Sequence, residues 1–143
     1  MNADTYINPD CPKDFYDYHG YFLTRPEQTL YHELAHGFDA EQGQLSLQPE
    51  WLSLSGWSPV PKPGLKRLII REKDVPEVIG EWFYDPDMAE FTRFYASRNP
   101  WDDIADSMAF YIGGLRERVP ASKASYLNQR LGQYYRTFER SVP

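Results

Sequence analysis

Two of the three histidines in the chain stand four residues apart, in His32-Glu33-Leu34-Ala35-His36. Residues at that spacing share one face of a helix, so both imidazoles can reach a single tetrahedral metal ion. Glu33 then projects about 100° from His32, beside the ion, where its carboxylate can contact a water molecule. Metal-assisted hydrolysis is the chemistry such a trio offers. The plainer reading is two surface histidines with an ordinary glutamate between them, an accident in a chain with so few histidines.

A third protein ligand must come from elsewhere. Cys11 is the only cysteine, which leaves no internal disulfide and no cysteine-rich zinc module. Asp102, Asp103 and Asp106 cluster further on, and His19 is the other conceivable ligand. Acids at a helix start ordinarily offset the helix dipole, which alone accounts for one or two of the three. Asp102 and Asp106 share a helix face, which suggests one carboxylate on the metal and the other behind it, holding a ligand histidine. Asp103 is turned about 100° from Asp102, so a regular helix cannot aim both at one ion.

Two helices must position these groups. Thr24-Arg25-Pro26-Glu27 has the form of a capping box, and the helix it opens should run through Gln42 and stop near Gly43. Leu30, Leu34 and Phe38 are its expected apolar side. Asn99-Pro100 is a strong helix start, an Asn cap with Pro in the first position, and it places Asp102 third in the helix. Ile104, Met108, Tyr111, Ile112 and Leu115 then make a core stripe. A last helix is expected over about 121–140. Residues 13–23 and Phe91 to Ser97 read as extended, Leu65 to Arg71 as a strand, and Pro59, Pro61, Pro63 and Gly64 as a stiff loop. Trp51 and Trp57 could line a cleft, although packing explains them as well. Gly37 could admit another segment close to the first helix.

The run His32 to Asp39, His-Glu-Leu-Ala-His-Gly-Phe-Asp, is followed by Tyr95-Ala-Ser-Arg-Asn-Pro-Trp-Asp-Asp-Ile-Ala-Asp106. Together they resemble the motifs of zincin metallopeptidases of the gluzincin and lethal-factor-like kind. The resemblance implies zinc held by His32, His36 and Asp102, with Glu33 as general base and Asp106 as an acid supporting the ligands. It also implies that Tyr95 stabilises the transition state and that Asp39 matches the acid often found after the second histidine. Asp102 stands where that family usually has Glu, one methylene longer. The implied fold is α+β and zincin-like: an active-site helix, a second helix carrying the third ligand, a small mixed sheet and a C-terminal helix. Little chain precedes the first helix, so the sheet is expected within 44–98, or else this chain is cut from a longer one.

Composition bounds the alternatives. The 143 residues fit one domain, and 41% hydrophobic with 16% aromatic residues suffices for a core. The longest apolar run, Met108 to Ile112, is far too short to span a membrane. No basic-then-apolar segment of the signal type opens the chain, and the compartment stays open. Net charge is −6, with nine acids against two bases in residues 1–60. The six bases of residues 116–143 suit a solvated helix face, so nucleic acid is not the expected partner. The expectation is therefore a single zinc-dependent metallopeptidase domain over residues 1–143, acting on a peptide or protein substrate. Its rivals are a catalytically retired binding module of the same shape and a metal-dependent amidase or deacylase acting on a non-protein substrate.

Overall fold

The helix opened by Asn99 organises the molecule. A computed structural model of the protein describes residues 26–72, 75–78 and 81–141. Its principal helices are α1 (Pro26–Glu41), α2 (Pro49–Ser55), α3 (Pro100–Ile112) and α4 (Ala121–Ser141). Short 3-10 turns occupy Leu45–Leu47, Phe94–Arg98 and Arg116–Arg118. The Asn99 side chain accepts the Asp102 backbone N–H at 2.7 Å, capping α3 as its sequence demands. Every residue of α3 from Asp102 to Tyr111 is buried, as befits a helix enclosed on all sides.

The core around α3 joins Ala35 of α1, Trp51 of α2, Tyr126 and Leu127 of α4, and Ile104, Met108, Phe110 and Tyr111 of α3 itself. Trp51 belongs to this packing, and Trp57 is buried against Tyr84 and Phe91. Trp51 Nε1 donates to the Pro100 carbonyl at 3.2 Å, and Trp57 Nε1 donates to Asp103 Oδ2 at 3.1 Å. Ile112, expected in the core stripe, is exposed at the end of α3.

Helix α1 ends as predicted. Gly43 takes a positive φ of 77°, while Gln44 N–H donates to the Asp39 carbonyl at 2.8 Å and Gly43 N–H to the Ala40 carbonyl at 3.2 Å. This is a Schellman ending, which satisfies two terminal carbonyls. Of the predicted apolar side of α1, Phe38 packs against the core and the two leucines do not. Leu30 and Leu34 are 56% and 58% exposed, whereas Gln28, His32, Ala35 and Asp39 face inward against α3. A Cβ at Gly37 would meet nothing within 4 Å, so that glycine admits no close neighbour. Gly113 does so instead, at the end of α3, where an added Cβ would fall 2.2 Å from Gln28 Nε2.

The expected α+β architecture with a mixed sheet is not what forms. The described residues are mainly helical, and strand is confined to a two-stranded antiparallel hairpin, β1 (Ile69–Glu72) with β2 (Val75–Val78). The physical reason lies in 44–98. Beyond α2 and the hairpin, its described residues form proline-bearing loops and 3-10 turns with isolated bridges at Ser58–Phe83 and Lys66–Tyr84, and α1 packs on the helix α3. Phe91 to Ser97 likewise folds into a 3-10 turn over Phe94–Arg98 instead of running extended. The predicted extended segment 13–23, the cap at Thr24, His19 and Cys11 lie outside the described residues. No helix among the described residues is long and apolar enough to cross a membrane.

Candidate metal centre

One turn of α1 and the first two turns of α3 meet at a cluster of nitrogen and oxygen atoms. His32 Nε2 lies 2.9 Å from His36 Nε2, and Asp102 Oδ1 lies 3.1 Å from His36 Nε2 and 3.4 Å from His32 Nε2. Three groups that usually donate or accept toward different partners thus converge on one point. With metal bonds of about 2.0–2.1 Å, adjacent ligands stand about 2.9 Å apart at right angles and about 3.3 Å apart at the tetrahedral angle. The observed edges span that interval, so the three residues could hold a metal ion as they stand.

Asn99 determines which oxygen of Asp102 turns inward. While its Oδ1 caps the helix, its Nδ2 donates to Asp102 Oδ2 at 2.9 Å. That bond leaves Oδ1 facing the histidines, a one-oxygen approach suited to the shorter aspartate side chain. Burial pushes the Asp102 carboxyl up, but hydrogen bonds from His32, His36 and Asn99 outweigh it and hold the group well below the usual carboxylate range.

Asp106 stands behind His32, where the helix register places it. Its Oδ1 is 2.7 Å from His32 Nδ1, which fixes the ring and directs Nε2 at the cluster. Arg93 completes the support, donating from Nε to Asp106 Oδ2 at 2.7 Å and from Nη2 to Oδ1 at 3.0 Å. Burial opposes the charge on Asp106; the Arg93 cation and its bonds with His32 and Arg93 still lower its pKa. For His32, burial disfavours the imidazolium, yet hydrogen bonds with Asp102 and Asp106 prevail and raise its pKa to about 9. When protonated, His32 sets a positive charge against the carboxylates of Asp102 and Asp106.

Tyr95 borders the cluster from the 3-10 turn before α3. Its ring meets His32 edge-on with centroids 5.9 Å apart, and the guanidinium groups of Arg93 and Arg98 stack on it at 4.4 and 4.8 Å. Arg98 Nη1 donates to its hydroxyl oxygen at 2.7 Å. Burial, followed by the negative charge of Asp102, raises the Tyr95 pKa, so the phenol keeps its proton. Glu33 is exposed on α1 next to His32.

Two more acids have partners of their own. Asp39 does not hold a ligand: it is buried, and Ser46 donates to it from its backbone N at 2.9 Å and from its hydroxyl at 2.5 Å. It anchors the turn that follows α1. Asp103 does more than offset a helix dipole. It is fully buried, 2.8 Å from Lys123 Nζ, and receives the Trp57 indole N–H. Burial raises its pKa to about 6 against the pull of Lys123. Arg93, Arg98 and the second role of Asn99 are parts of the site that sequence reasoning missed. Arginines on either side of Tyr95 were the available signal. No family model, curated protein or solved structure matches the chain.

Proposed function

We propose that the protein is a zinc-dependent metallopeptidase whose metal is held by His32, His36 and Asp102. The observation that carries the reading is the convergence of those three ligand atoms, two of them from the helix that bears Glu33 between its histidines. Two imidazoles and a carboxylate would also suit ferrous iron. A glutamate directly after the first histidine favours hydrolysis, because it supplies a base that oxygen chemistry does not need. Zinc bound there supplies Lewis acidity, polarising the scissile carbonyl and lowering the pKa of a water molecule to about 7.

The protein's own groups do the rest. Glu33 takes a proton from the attacking water onto a carboxylate oxygen and passes it to the leaving amine nitrogen as the C–N bond breaks. Tyr95 donates its hydroxyl hydrogen to the carbonyl oxygen as negative charge builds there, while Arg98 donates to the same hydroxyl and orients it. Asp106 and Arg93 keep the His32 ring from turning.

Metal analysis combined with Glu33→Gln tests the proposal. The parent should carry one zinc per chain and cleave a mixed peptide library. Glu33→Gln should keep the zinc and lose turnover by several orders of magnitude, since the amide cannot accept the proton. Near-normal cleavage by the variant, or iron in place of zinc, refutes the reading.

A further inference from the structure

A carboxylate from outside both sequence motifs reaches the groups around Tyr95. Glu81 Oε1 accepts from Asn99 Nδ2 at 3.3 Å and lies 3.5 Å from Arg98 Nη2. Arg98 in turn donates from Nη1 to the Tyr95 hydroxyl at 2.7 Å. Resting on the peptidase reading, we infer that Glu81 is a positioning residue for that reaction. It holds the Arg98 guanidinium where it aims the Tyr95 hydroxyl, and it keeps that guanidinium from pairing with the ligand carboxylate of Asp102.

The main chain puts Glu81 there. Glu81 N–H and Trp82 N–H both donate to the Arg98 carbonyl, at 3.0 and 3.3 Å. Further along, Phe83 exchanges backbone hydrogen bonds with Ser58 at 2.8 and 2.9 Å. A partly exposed ion pair is worth little by itself, because solvent screens it and two long side chains must be ordered. Here backbone bonds supply much of the ordering, so the carboxylate stays beside Arg98.

Arg98 needs such a partner. Its Nε is buried without a hydrogen-bond partner among the described residues, so the guanidinium is held by Nη1 on Tyr95 and by Nη2 toward Glu81. Its other carboxylate is Asp102, whose Oδ2 lies 4.0 Å from Nη1. The nitrogen that serves the Tyr95 hydroxyl therefore faces the ligand acid as well, and Glu81 draws the group the other way. Without that pull the remaining anion is Asp102, and a guanidinium turned to it leaves the phenol. A phenol oxygen carries one hydrogen and accepts through its lone pairs. With Arg98 on a lone pair the hydrogen points elsewhere, which in the peptidase reading is toward the carbonyl oxygen of the substrate.

A second route from Glu81 runs through Asn99 to Asp102, and it carries less. Asn99 is fully buried, and its own bonds to the Asp102 backbone N–H and to Asp102 Oδ2 hold it with or without Glu81. The effect of Glu81 should therefore fall on turnover and not on metal binding.

Glu81→Ala and Glu81→Gln, each alone and combined with Tyr95→Phe, test this in zinc-loaded protein acting on one peptide chosen from a mixed library. Glu81→Ala should lower kcat by about 10-fold, short of the roughly 10²-fold loss expected of Tyr95→Phe, with KM and zinc affinity within about twofold of the parent. Glu81→Gln keeps an acceptor without the charge and should lose less. In the Tyr95→Phe background Glu81→Ala should cost less than about twofold, because the hydroxyl it serves is gone. Independently of activity, NMR of protein labelled at the arginine nitrogens should show separate Nη signals for a hindered Arg98 guanidinium in the parent, and averaged ones in Glu81→Ala. A parent that cleaves while Glu81→Ala keeps its kcat, or loses as much in both backgrounds, overturns the role of Glu81 and leaves the peptidase reading standing. Weaker zinc binding with kcat of the loaded protein unchanged assigns Glu81 to Asp102 instead and overturns it too, as do averaged Nη signals in the parent. Separate Nη signals that average in Glu81→Ala, in a protein that cleaves no peptide, overturn the peptidase reading and the role of Glu81 with it.

Discussion

Asp106→Ala is the substitution whose consequences the structure fixes most closely, because one buried carboxylate serves two partners. It orients His32 through Nδ1 at 2.7 Å and neutralises Arg93 through Nε at 2.7 Å, with no exposure of its own. Removing it leaves the Arg93 guanidinium, 5% exposed, without its carboxylate. Breaking a buried pair from one side costs about 3–5 kcal/mol, since the remaining charge stays desolvated. Separately, an imidazole that has lost its supporting acid binds metal about 10–100-fold more weakly, or about 1.4–2.7 kcal/mol. The two effects need two assays: urea unfolding of the metal-free protein for the first, zinc competition against a chromophoric chelator for the second. Asp106→Asn separates them further, because it keeps the volume and one acceptor while removing the charge. Its stability loss should be the smaller, and its zinc affinity should still fall. Zinc affinity within about twofold of the parent in both variants would reduce Asp106 to an ion-pair partner of Arg93. Unchanged unfolding of Asp106→Ala would refute the account of the buried pair.

Asp103→Ala should cost about 3–5 kcal/mol, because Lys123 is left 1% exposed without its carboxylate, yet zinc affinity should be unchanged; weaker zinc binding in a folded variant would overturn the assignment. Tyr95→Phe should keep fold and zinc and lose roughly 10²-fold in rate, and an unaltered rate returns Tyr95 to packing. The metal-free protein should lose stability as pH rises from about 6.5 to about 9. The His32 pKa is raised on folding, so its contribution is complete below the unfolded value and vanishes above the folded one. Unfolding in chelator at intervals across that window checks the sign, and a flat or rising profile contradicts it.

What could be read from the sequence was whatever depends on neighbours in the chain. The Asn99-Pro100 cap fixed the register of α3, and with it the directions of Asp102 and Asp106, because a helix start dictates where its third and seventh residues point. Gly43 announced the end of α1 for the same reason. Asp103 and Lys123 escaped because their pairing joins two helices across the core, and no spacing rule connects them. The mixed sheet was expected from a resemblance; among the described residues that stretch builds the Ile69–Val78 hairpin and two isolated bridges.

Helix α1 is the instructive case: Phe38 packs on the core as its spacing predicts, whereas the exposure of Leu30 and Leu34 follows from the site. Periodicity assumes that a helix buries its apolar stripe, yet α1 exposes Leu30 and Leu34 and turns His32 and Asp39 inward. Burying ionisable groups is tolerable only where they are paired and hydrogen-bonded. The interface with α3 supplies that pairing: His32 and Arg93 face Asp102 and Asp106, two cations against two anions when His32 is protonated. His32 Nε2, whose protonation completes this balance, is one of the atoms that would bind a metal. A divalent ion entering the cluster must therefore displace that proton, so metal affinity should climb with pH over the range in which the metal-free fold weakens. The charge balance that lets a polar helix face be buried is the same one that keeps the ligand atoms aimed at a single point. A sequence rule that counts only apolar residues places that face on the outside.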